Sequence, residues 1–352
     1  MNNPVLVLVG GFLGAGKTTL LLEAAARLRA AGRRVAMITN DQGGELVDTR
    51  LAEAMGTDVQ EIVGGCFCCR FSELVNAVED LSAHDPEFIL AEPVGSCIDI
   101  SATVLQPLRR LYPDRIRLAP FTVLVDPERA RQLMLPDADP NLAYLFWNQL
   151  AEADLVCISK ADLYTELPDL PMVTTRRISS ATGQGVPEWL GEVTNGAGVS
   201  GSHVLEVDYR KYADAEASLG WLNWQADVIL YTPTGPAQVI GAWLDDLDQR
   251  LSSARIGIVH LKAFDQAATG YIKASLCQNG TEPAVDGDLS ASPAARHRIL
   301  LNLRAVAAPE QLRSIVERAA ENLPGSVTRL HLESFRPAPP KPQYRLTNAN
   351  VS

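Results

Sequence analysis

Long apolar runs, a basic excess and a membrane-targeting start are all missing from this sequence of 352 residues. No run reaches the roughly 18 consecutive apolar residues that a transmembrane helix requires. The apolar start has neither a basic n-region nor a small-residue cleavage site, so no signal peptide is predicted. These absences predict a cytoplasmic protein without a membrane partner. A formal charge of −11 argues against a nucleic-acid partner, because non-specific binding requires a basic surface.

Cysteine and histidine are also scarce. Six cysteines are too few to build a disulfide scaffold in a chain of this length. The five histidines form no tract that could store metal, and they are scattered at His84, His203, His260, His297 and His331. Three cysteines nevertheless fall within four positions, at Cys66, Cys68 and Cys69. In a reducing compartment such a cluster indicates metal binding or thiol chemistry.

Alternation of apolar and amphipathic segments predicts the fold class. Up to residue 159, short runs rich in Val, Ile and Leu alternate with segments of helical periodicity, which predicts an α/β fold with a doubly wound, mainly parallel sheet. Glycine, serine and asparagine cluster at 191–202 and predict a linker. The expected domains are 1–195 and a smaller α+β domain over 203–335. A proline-rich tail, 336–352, is expected to be extended or disordered.

The most specific motif lies between the first predicted strand and the first predicted helix. Residues 11–18, Gly-Phe-Leu-Gly-Ala-Gly-Lys-Thr, fit G-x-x-x-x-G-K-[ST] at every fixed position, which predicts the phosphate loop of a P-loop NTPase. Lys17 would contact the β- and γ-phosphates, and the Thr18 hydroxyl would ligate Mg²⁺. The residues assigned to the nucleotide here are Gly11, Gly14, Ala15, Gly16, Lys17, Thr18 and Thr19.

Two later segments favour guanine as the base. The run Ser-Lys-Ala-Asp at 159–162 resembles the N-K-x-D element of GTPases, with serine in the first place. Asp162 could accept hydrogen bonds from guanine N1–H and N2–H₂, a donor pair that adenine lacks, while the stem of Lys160 would lie along the base. Residues 179–185 resemble the S-A-x-x-G-x-G loop that meets guanine O6, which assigns Ser180 and Ala181 to the base.

Carboxylates near two further strand ends are predicted to face the phosphates. Glu92 follows a buried strand, and strands of a doubly wound sheet deliver their carboxyl ends to the ligand edge. Glu92 would then sit near Mg²⁺ or the attacking water, and Gly95 would let the backbone approach the γ-phosphate. The segment 40–48 falls where GTPases place their first mobile loop. Its Asp41 and Glu45 are considered as ligands of Mg²⁺ or of a second metal.

The cysteine cluster follows a Gly-Gly pair. Thiolates at i, i+2 and i+3 can converge on one cation if the loop folds back, and Zn²⁺, Co²⁺ or Cu(I) would accept such ligands. Two alternatives stay open: a redox switch through a Cys66–Cys69 disulfide, and buried cysteines that act as small hydrophobes. Cys97 could add a further thiol ligand, or equally could be a packed cysteine at the start of a helix.

Together these groups resemble the CobW-type metallochaperone GTPases, relatives of HypB and UreG. The resemblance comprises the extended phosphate loop at 10–20, the G-C-x-C-C signature at 65–69 and the E-x-x-G element that begins at Glu92. It covers about half the chain and implies GTP hydrolysis coupled to delivery of a metal, held at the cysteine motif, to a client protein. The sequence departs from the family at 40–45, which replaces N-E-F-G-E, at Ser159, and in lacking a histidine-rich loop.

Other hypotheses remain open at this point. One is a chaperone for a cobalamin- or corrinoid-dependent enzyme, in which GTP gates cofactor loading and metal is incidental. A thiol redox sensor is another. Related GTPases often close a shared site, so a homodimer also stays open. The expected cofactors are GTP, Mg²⁺, and Zn²⁺ or Co²⁺ at the cysteine motif, while the metal and the client stay unidentified.

Overall fold

A computed structural model describes residues 3–43, 47–54, 56, 58–170, 174–195 and 199–347. Residue contacts group the chain into two units: the first comprises 1–42, 52–215 and 339–352, and the second comprises 43–51 and 216–338. These bounds differ from the expected domains, because the tail belongs to the first unit and a short early segment belongs to the second. Every helix in the described part of the chain is too short or too polar to span a lipid bilayer.

A parallel sheet forms the centre of the first unit. Its strands are Val5–Gly11 (β1), Val35–Asn40 (β2), Asp58–Ile62 (β3), Phe88–Glu92 (β4), Arg117–Leu118 (β5), Thr122–Val125 (β6), Leu155–Ile158 (β7) and Thr175–Arg177 (β8). Their spatial order is β3-β2-β4-β1-β6-β7-β8, with β5 also beside β1, and the pairs are parallel. Both β1 and β2 are buried along their whole length, as in sheets covered on two faces. The predicted fold class is confirmed.

Helices connect these strands and continue into the second unit. They are Lys17–Ala30 (α1), Val47–Ala54 (α2), Phe71–Ser82 (α3), Gln106–Leu111 (α4), Pro127–Leu133 (α5), Pro140–Ala151 (α6), Val186–Thr194 (α7), Tyr209–Ala217 (α8), Pro236–Ser253 (α9) and Pro309–Glu321 (α10). A π-helical turn, Ser101–Leu105, leads into α4. An Asp-Pro pair starts both α5 and α6: the aspartate side chain accepts backbone N–H groups of the first turn, and proline fits the first helical position.

An antiparallel sheet forms the second unit. Its strands are Gly220–Thr234 (β9), Ile258–Ala267 (β10), Gly270–Leu276 (β11), Ala284–Gly287 (β12), Ala294–Ala305 (β13) and Gly325–Phe335 (β14). The spatial order is β12-β11-β10-β13-β9-β14. Trp224 of β9 packs against Trp243 of α9, with ring centroids 5.0 Å apart. The sequence analysis did not identify β9, β12 or β14 as strands.

A short early segment also belongs to this second unit. In 43–51, the backbone N–H of Val47 donates to Asn302 Oδ1 at 3.0 Å, and Asp48 forms an ion pair with Lys262. From the sequence, this stretch was predicted to be the first mobile loop of a GTPase. Its described contacts therefore fix part of that stretch to the antiparallel sheet.

Candidate functional site

The phosphate loop closes around its own lysine. Lys17 is 5% exposed, and its Nζ donates to the carbonyl oxygens of Gly11 at 2.9 Å and Phe12 at 3.3 Å. Gly14 and Gly16 have φ values of +82° and +92°, which lie in the left-handed region that favours glycine. The chain therefore forms a tight turn between β1 and α1 whose helix start can receive an anion.

Glu92 reaches this loop from the neighbouring strand β4. The Thr18 hydroxyl donates to Glu92 Oε2 at 2.7 Å, and Lys17 Nζ lies 3.8 Å from Glu92 Oε1. A Cβ added to Gly95 would stand only 3.0 Å from Lys17 Nζ, so the backbone there approaches the lysine closely. The structure thus brings together Lys17, Thr18, Glu92 and Gly95, four of the residues that were predicted to face the γ-phosphate and Mg²⁺.

The turn assigned to the base follows β7. Lys160 adopts a left-handed φ of +53°, and Asp162 is exposed at the end of the turn. The backbone N–H of Ala161 donates to the carbonyl of Ile178 at 3.1 Å, directly before the second base-reading segment. That bond holds the Lys160–Asp162 turn beside the loop at 179–185.

This second loop is closed by its own backbone. Ser179 donates its N–H to the carbonyl of Gln184 at 2.9 Å and accepts the N–H of Gly183 at 2.9 Å. Ser180 is half-buried and Ala181 is exposed. The loop therefore presents Ser180 and Ala181 at its tip, where a base could reach their backbone.

Asp126 is a residue of this region that the sequence analysis missed. Its Oδ2 lies 2.5 Å from Lys160 Nζ, and its Oδ1 accepts the backbone N–H of Arg129 at 2.8 Å as the cap of α5. The carboxylate thus fixes the lysine that was assigned to the base. Its place at the carboxyl end of β6 is the signal that could have found it.

Three sulfur atoms converge in the cysteine loop. Cys66 Sγ lies 2.7 Å from Cys68 Sγ and 3.4 Å from Cys69 Sγ, while the sulfurs of Cys68 and Cys69 are 3.7 Å apart. All three residues are free cysteines. Across the described stretches, they form the one group of three or more close side chains of metal-binding type.

The fit to a metal can be tested on these distances. Four thiolates around Zn²⁺, each with a bond of about 2.3 Å, lie about 3.8 Å from one another in a tetrahedron. Cys69 meets this condition with Cys68 and nearly with Cys66. The distance between the sulfurs of Cys66 and Cys68 would have to increase from 2.7 Å when a metal replaces the hydrogen bond between them. The donor set fits a soft or borderline cation.

The thiols share protons unequally. Hydrogen bonds with Cys68, Cys69 and Cys97 lower the pKa of Cys66 well below its ordinary value. The hydrogen bond with Cys66 raises the pKa of Cys68 well above its ordinary value and is the main cause that raises the pKa of Cys69 to about 11. Within the cluster, Cys66 is therefore the thiol whose loss of a proton its neighbours favour most.

Cys97 approaches Cys66 from the loop that follows β4, outside the group of three converging sulfurs. Its thiol hydrogen-bonds to Cys66, and its side chain is 3% exposed. Glu92, Gly95 and Cys97 thus lie on one short stretch of chain, which contacts the phosphate-loop lysine at one point and the thiols at another. In contrast, burial within β7 raises the pKa of Cys157 to about 12, as expected for a packing residue.

Of the two carboxylates predicted as metal ligands in the 40–48 segment, only Asp41 lies within the described residues. Asp41 directly follows β2, where its Oδ1 accepts the backbone N–H of Gln42 at 2.6 Å. Its role towards Mg²⁺ stays a prediction. Glu45 lies outside the described residues.

Asn40, the last residue of β2, holds the cysteine loop in place. Its Oδ1 accepts the N–H of Phe67 at 3.0 Å, and its Nδ2 donates to the carbonyls of Ile62 at 2.9 Å and Gly65 at 2.8 Å. The side chain is buried. From the sequence, Asn40 was predicted only as part of the mobile-loop stretch, because spacing along the chain does not reveal a bond across 27 positions.

We expect Asn40→Ala to lower the free energy of unfolding by about 2–4 kcal/mol, because it leaves several buried backbone groups unpaired. Urea denaturation of both proteins would measure the loss. Asn148→Ala removes a single bond, to the carbonyl of Tyr144, and is the matched control. An Asn40→Ala protein no less stable than the control would contradict the supporting role of Asn40.

Comparison with known proteins finds relatives of the segment that contains this site. A model of the CobW/HypB/UreG nucleotide-binding domain matches residues 5–184. The zinc chaperone CobW of Pseudomonas aeruginosa is 34% identical over 185 residues, which cover 44% of this chain and 48% of that protein. The zinc chaperone YjiA of Escherichia coli is 42% identical over 82 residues, 23% of this chain and 25% of that protein.

The matched segments span about half or less of these curated relatives. Among solved structures, Zn(II)-bound YjiA GTPase from E. coli aligns with 92% of this chain and 99% of its own, at 16% identity and a TM-score of 0.36. That score is too low to support a detailed structural comparison.

Proposed function

The chain belongs to the CobW/HypB/UreG family, and on that premise we propose that it is a GTP-hydrolysing metallochaperone that binds a transition metal at its cysteine cluster and delivers it to a client protein. The observation that carries the proposal is the loop from Glu92 to Cys97. This loop contacts Lys17 and Thr18 at its beginning and the thiol of Cys66 at its end. Since similar proteins are named zinc chaperones, Zn²⁺ is the proposed cargo and Co²⁺ the alternative.

The phosphate-loop residues have distinct roles in hydrolysis. Lys17 binds the β- and γ-phosphates and offsets their charge. The Thr18 hydroxyl can ligate Mg²⁺ through an oxygen lone pair while its O–H still donates to Glu92. Mg²⁺, when bound, neutralises charge on the phosphates. Glu92 orients the attacking water and accepts its proton, as the bond from the γ-phosphorus to the β-phosphate oxygen breaks.

Coupling to the metal follows from the same loop. Gly95 stands against Lys17, so the γ-phosphate held by that lysine restricts the loop. Cys97 then keeps its place beside Cys66, and the thiols retain the metal. Loss of the γ-phosphate releases this restriction and loosens the cluster, so that the metal can pass to the client. Cys97 serves as the fourth thiol of the site.

The test is a Co²⁺ titration of the reduced, metal-free protein followed by absorbance. It is run with a GTP analogue and Mg²⁺, with GDP, with an ATP analogue, and without nucleotide. We expect a thiolate-to-cobalt charge-transfer band that the GTP analogue strengthens and the ATP analogue does not. Absence of this band in every state would rule out metal binding by the cysteines. A band of equal intensity under all four conditions would show that metal binding is not coupled to GTP.

Cys97→Ser tests whether Cys97 acts as the fourth thiol ligand of the metal. We expect it to reduce the intensity of the band and its response to the GTP analogue, because a hydroxyl is a poor ligand for a soft or borderline cation. Cys277→Ser changes a half-buried cysteine of the second unit and serves as the control. A Cys97→Ser protein with the spectrum and nucleotide response of the control would exclude Cys97 from the metal site.

A further inference from the structure

The C-terminal segment 340–347 lies against the cysteine loop. The backbone N–H of Lys341 donates to Cys69 Sγ at 3.2 Å, and the backbone N–H of Gln343 donates to the carbonyl of Cys68 at 3.0 Å. One bond thus reaches a sulfur of the cluster directly, and the other holds the adjacent backbone.

Side chains of this segment anchor it at the start of α3. Gln343 Oε1 accepts both the backbone N–H and the hydroxyl of Ser72 at 2.9 Å. The ring of Tyr344 packs edge-on against that of Phe71, with centroids 5.1 Å apart. Both partners come directly after the cysteine motif in the chain, so these contacts keep the segment close to the thiols.

A second anchor lies on the Cys97 side. Arg345 Nε pairs with Asp99 Oδ2 at 2.8 Å, and this aspartate is 2% exposed. The backbone N–H of Leu346 donates to the carbonyl of Ala102 at 2.8 Å. The segment therefore bridges the cysteine loop and the stretch of chain that carries Cys97.

We propose that residues 340–347 form a retaining strap over the metal site, and this inference rests on the proposed function. With this segment in place, Cys66 and Cys68 are buried and Cys69 is half-buried, so Cys69 is the thiol through which the cluster can be reached. The strap contacts the cluster at that residue. Its N–H···S bond orients the Cys69 sulfur, in the way that outer partners orient metal ligands. A client thiol must displace the strap to reach the metal.

The strap can leave without unfolding the domain. Lys341, Gln343 and Tyr344 are exposed, Arg345 is partly exposed, and Pro340 alone is buried, while the strap contains no helix or strand. Segments with few buried contacts open at low free-energy cost. Opening therefore exposes Cys69 while the parallel sheet stays intact.

Two changes in the full-length protein test the strap. Lys341→Pro removes the N–H that bonds to Cys69, and the flanking Pro340 and Pro342 already impose an extended backbone that proline tolerates. Lys341→Ala keeps the N–H and is its matched control. Gln343→Ala combined with Arg345→Ala removes both side-chain anchors and leaves the N–H in place.

Two rates are measured for each protein. The first is alkylation of Cys69 by iodoacetamide in the metal-free protein, followed by peptide mass spectrometry. The second is transfer of bound Zn²⁺ to a chromogenic chelator. We expect Lys341→Pro and the double variant to raise the rate of Zn²⁺ transfer about tenfold, as for loss of an outer partner of a metal ligand. The double variant keeps the N–H that bonds to Cys69, so its weaker anchoring is also expected to raise the rate of Cys69 alkylation. Lys341→Ala is expected to match the unmodified protein.

The two arms separate this inference from the proposed function. If no metal binds the unmodified protein, the proposed function fails, and the alkylation rates still decide whether the strap covers Cys69. If metal binds but Lys341→Pro and the double variant keep both rates of the control, the strap is overturned and the metal site stands.

Discussion

Replacing Cys66 by serine is expected to lower the affinity for Zn²⁺ or Co²⁺ by about 100-fold or more. Mutation of residues that only hydrogen-bond to a metal ligand typically lowers metal affinity about 10–100-fold. Loss of a direct ligand should therefore lower the affinity by more. Cys66 is the central member of the cluster, because its sulfur contacts those of Cys68 and Cys69 and hydrogen-bonds to Cys97. A serine oxygen would be a hard, neutral donor at the point where the thiols meet.

A competition titration against a chelating indicator measures this affinity. Cys277→Ser, which changes a cysteine outside the cluster, should leave it unchanged. Binding of a GTP analogue to Cys66→Ser should also persist, because Lys17 is held by carbonyls of its own loop. Unchanged metal stoichiometry and affinity in Cys66→Ser would remove the cluster from metal chemistry and return attention to the redox and cofactor-loading hypotheses.

Removing the ammonium group of Lys17 is expected to weaken GTP binding about 100-fold and to abolish turnover. A hydrogen bond to a charged group contributes about 1.5–3 kcal/mol, and the upper part of that range corresponds to this factor. Glu92 adds to the effect: Lys17 Nζ lies 3.8 Å from its carboxylate, and without the lysine that negative charge would face the phosphates uncompensated. Lys17→Ala therefore loses the attraction between the ammonium group and the phosphates, and it leaves the Glu92 carboxylate to repel them.

Titration with a fluorescent GTP analogue and a phosphate-release assay measure the two effects. Arg33→Ala, which removes an exposed cation paired with Glu87, is the control for a simple change of net charge. Metal affinity in the absence of nucleotide should stay the same in Lys17→Ala. Nucleotide affinity close to that of the control would show that phosphates bind elsewhere in the protein.

Local signals predicted most of the first unit. Residues 17–31 have the periodicity of a helix and form Lys17–Ala30, and the apolar run at 33–39 forms the strand Val35–Asn40. Strand β9 was missed because polar residues interrupt its apolar pattern. Asn223, within β9, is buried, and it bonds to Asn302 and Arg304 across the sheet. Its partners lie about 80 positions away, where no local pattern reveals them.

In the candidate site, too, local motifs could be predicted from the sequence, whereas contacts between distant segments could not. The phosphate loop and the cysteine spacing are contiguous motifs, so their residues could be selected from the sequence. The support from Asn40 and the contacts of the tail depend on chain segments that meet only in the folded protein. Proline-rich composition predicted an extended or disordered tail. It gave no sign that Lys341 would bond to a thiol of the cysteine motif.

The bond between Lys341 and Cys69 joins residues 272 positions apart, which sets an order of events during translation. At about 5–20 residues per second, the ribosome adds the last of these residues roughly 14–54 s after the first. Throughout that interval the nascent chain has its three clustered thiols and no strap to cover them. If the proposed metal site and strap hold, a cation that arrives during synthesis would enter an open cysteine loop, whereas one that arrives after chain release would compete with the strap.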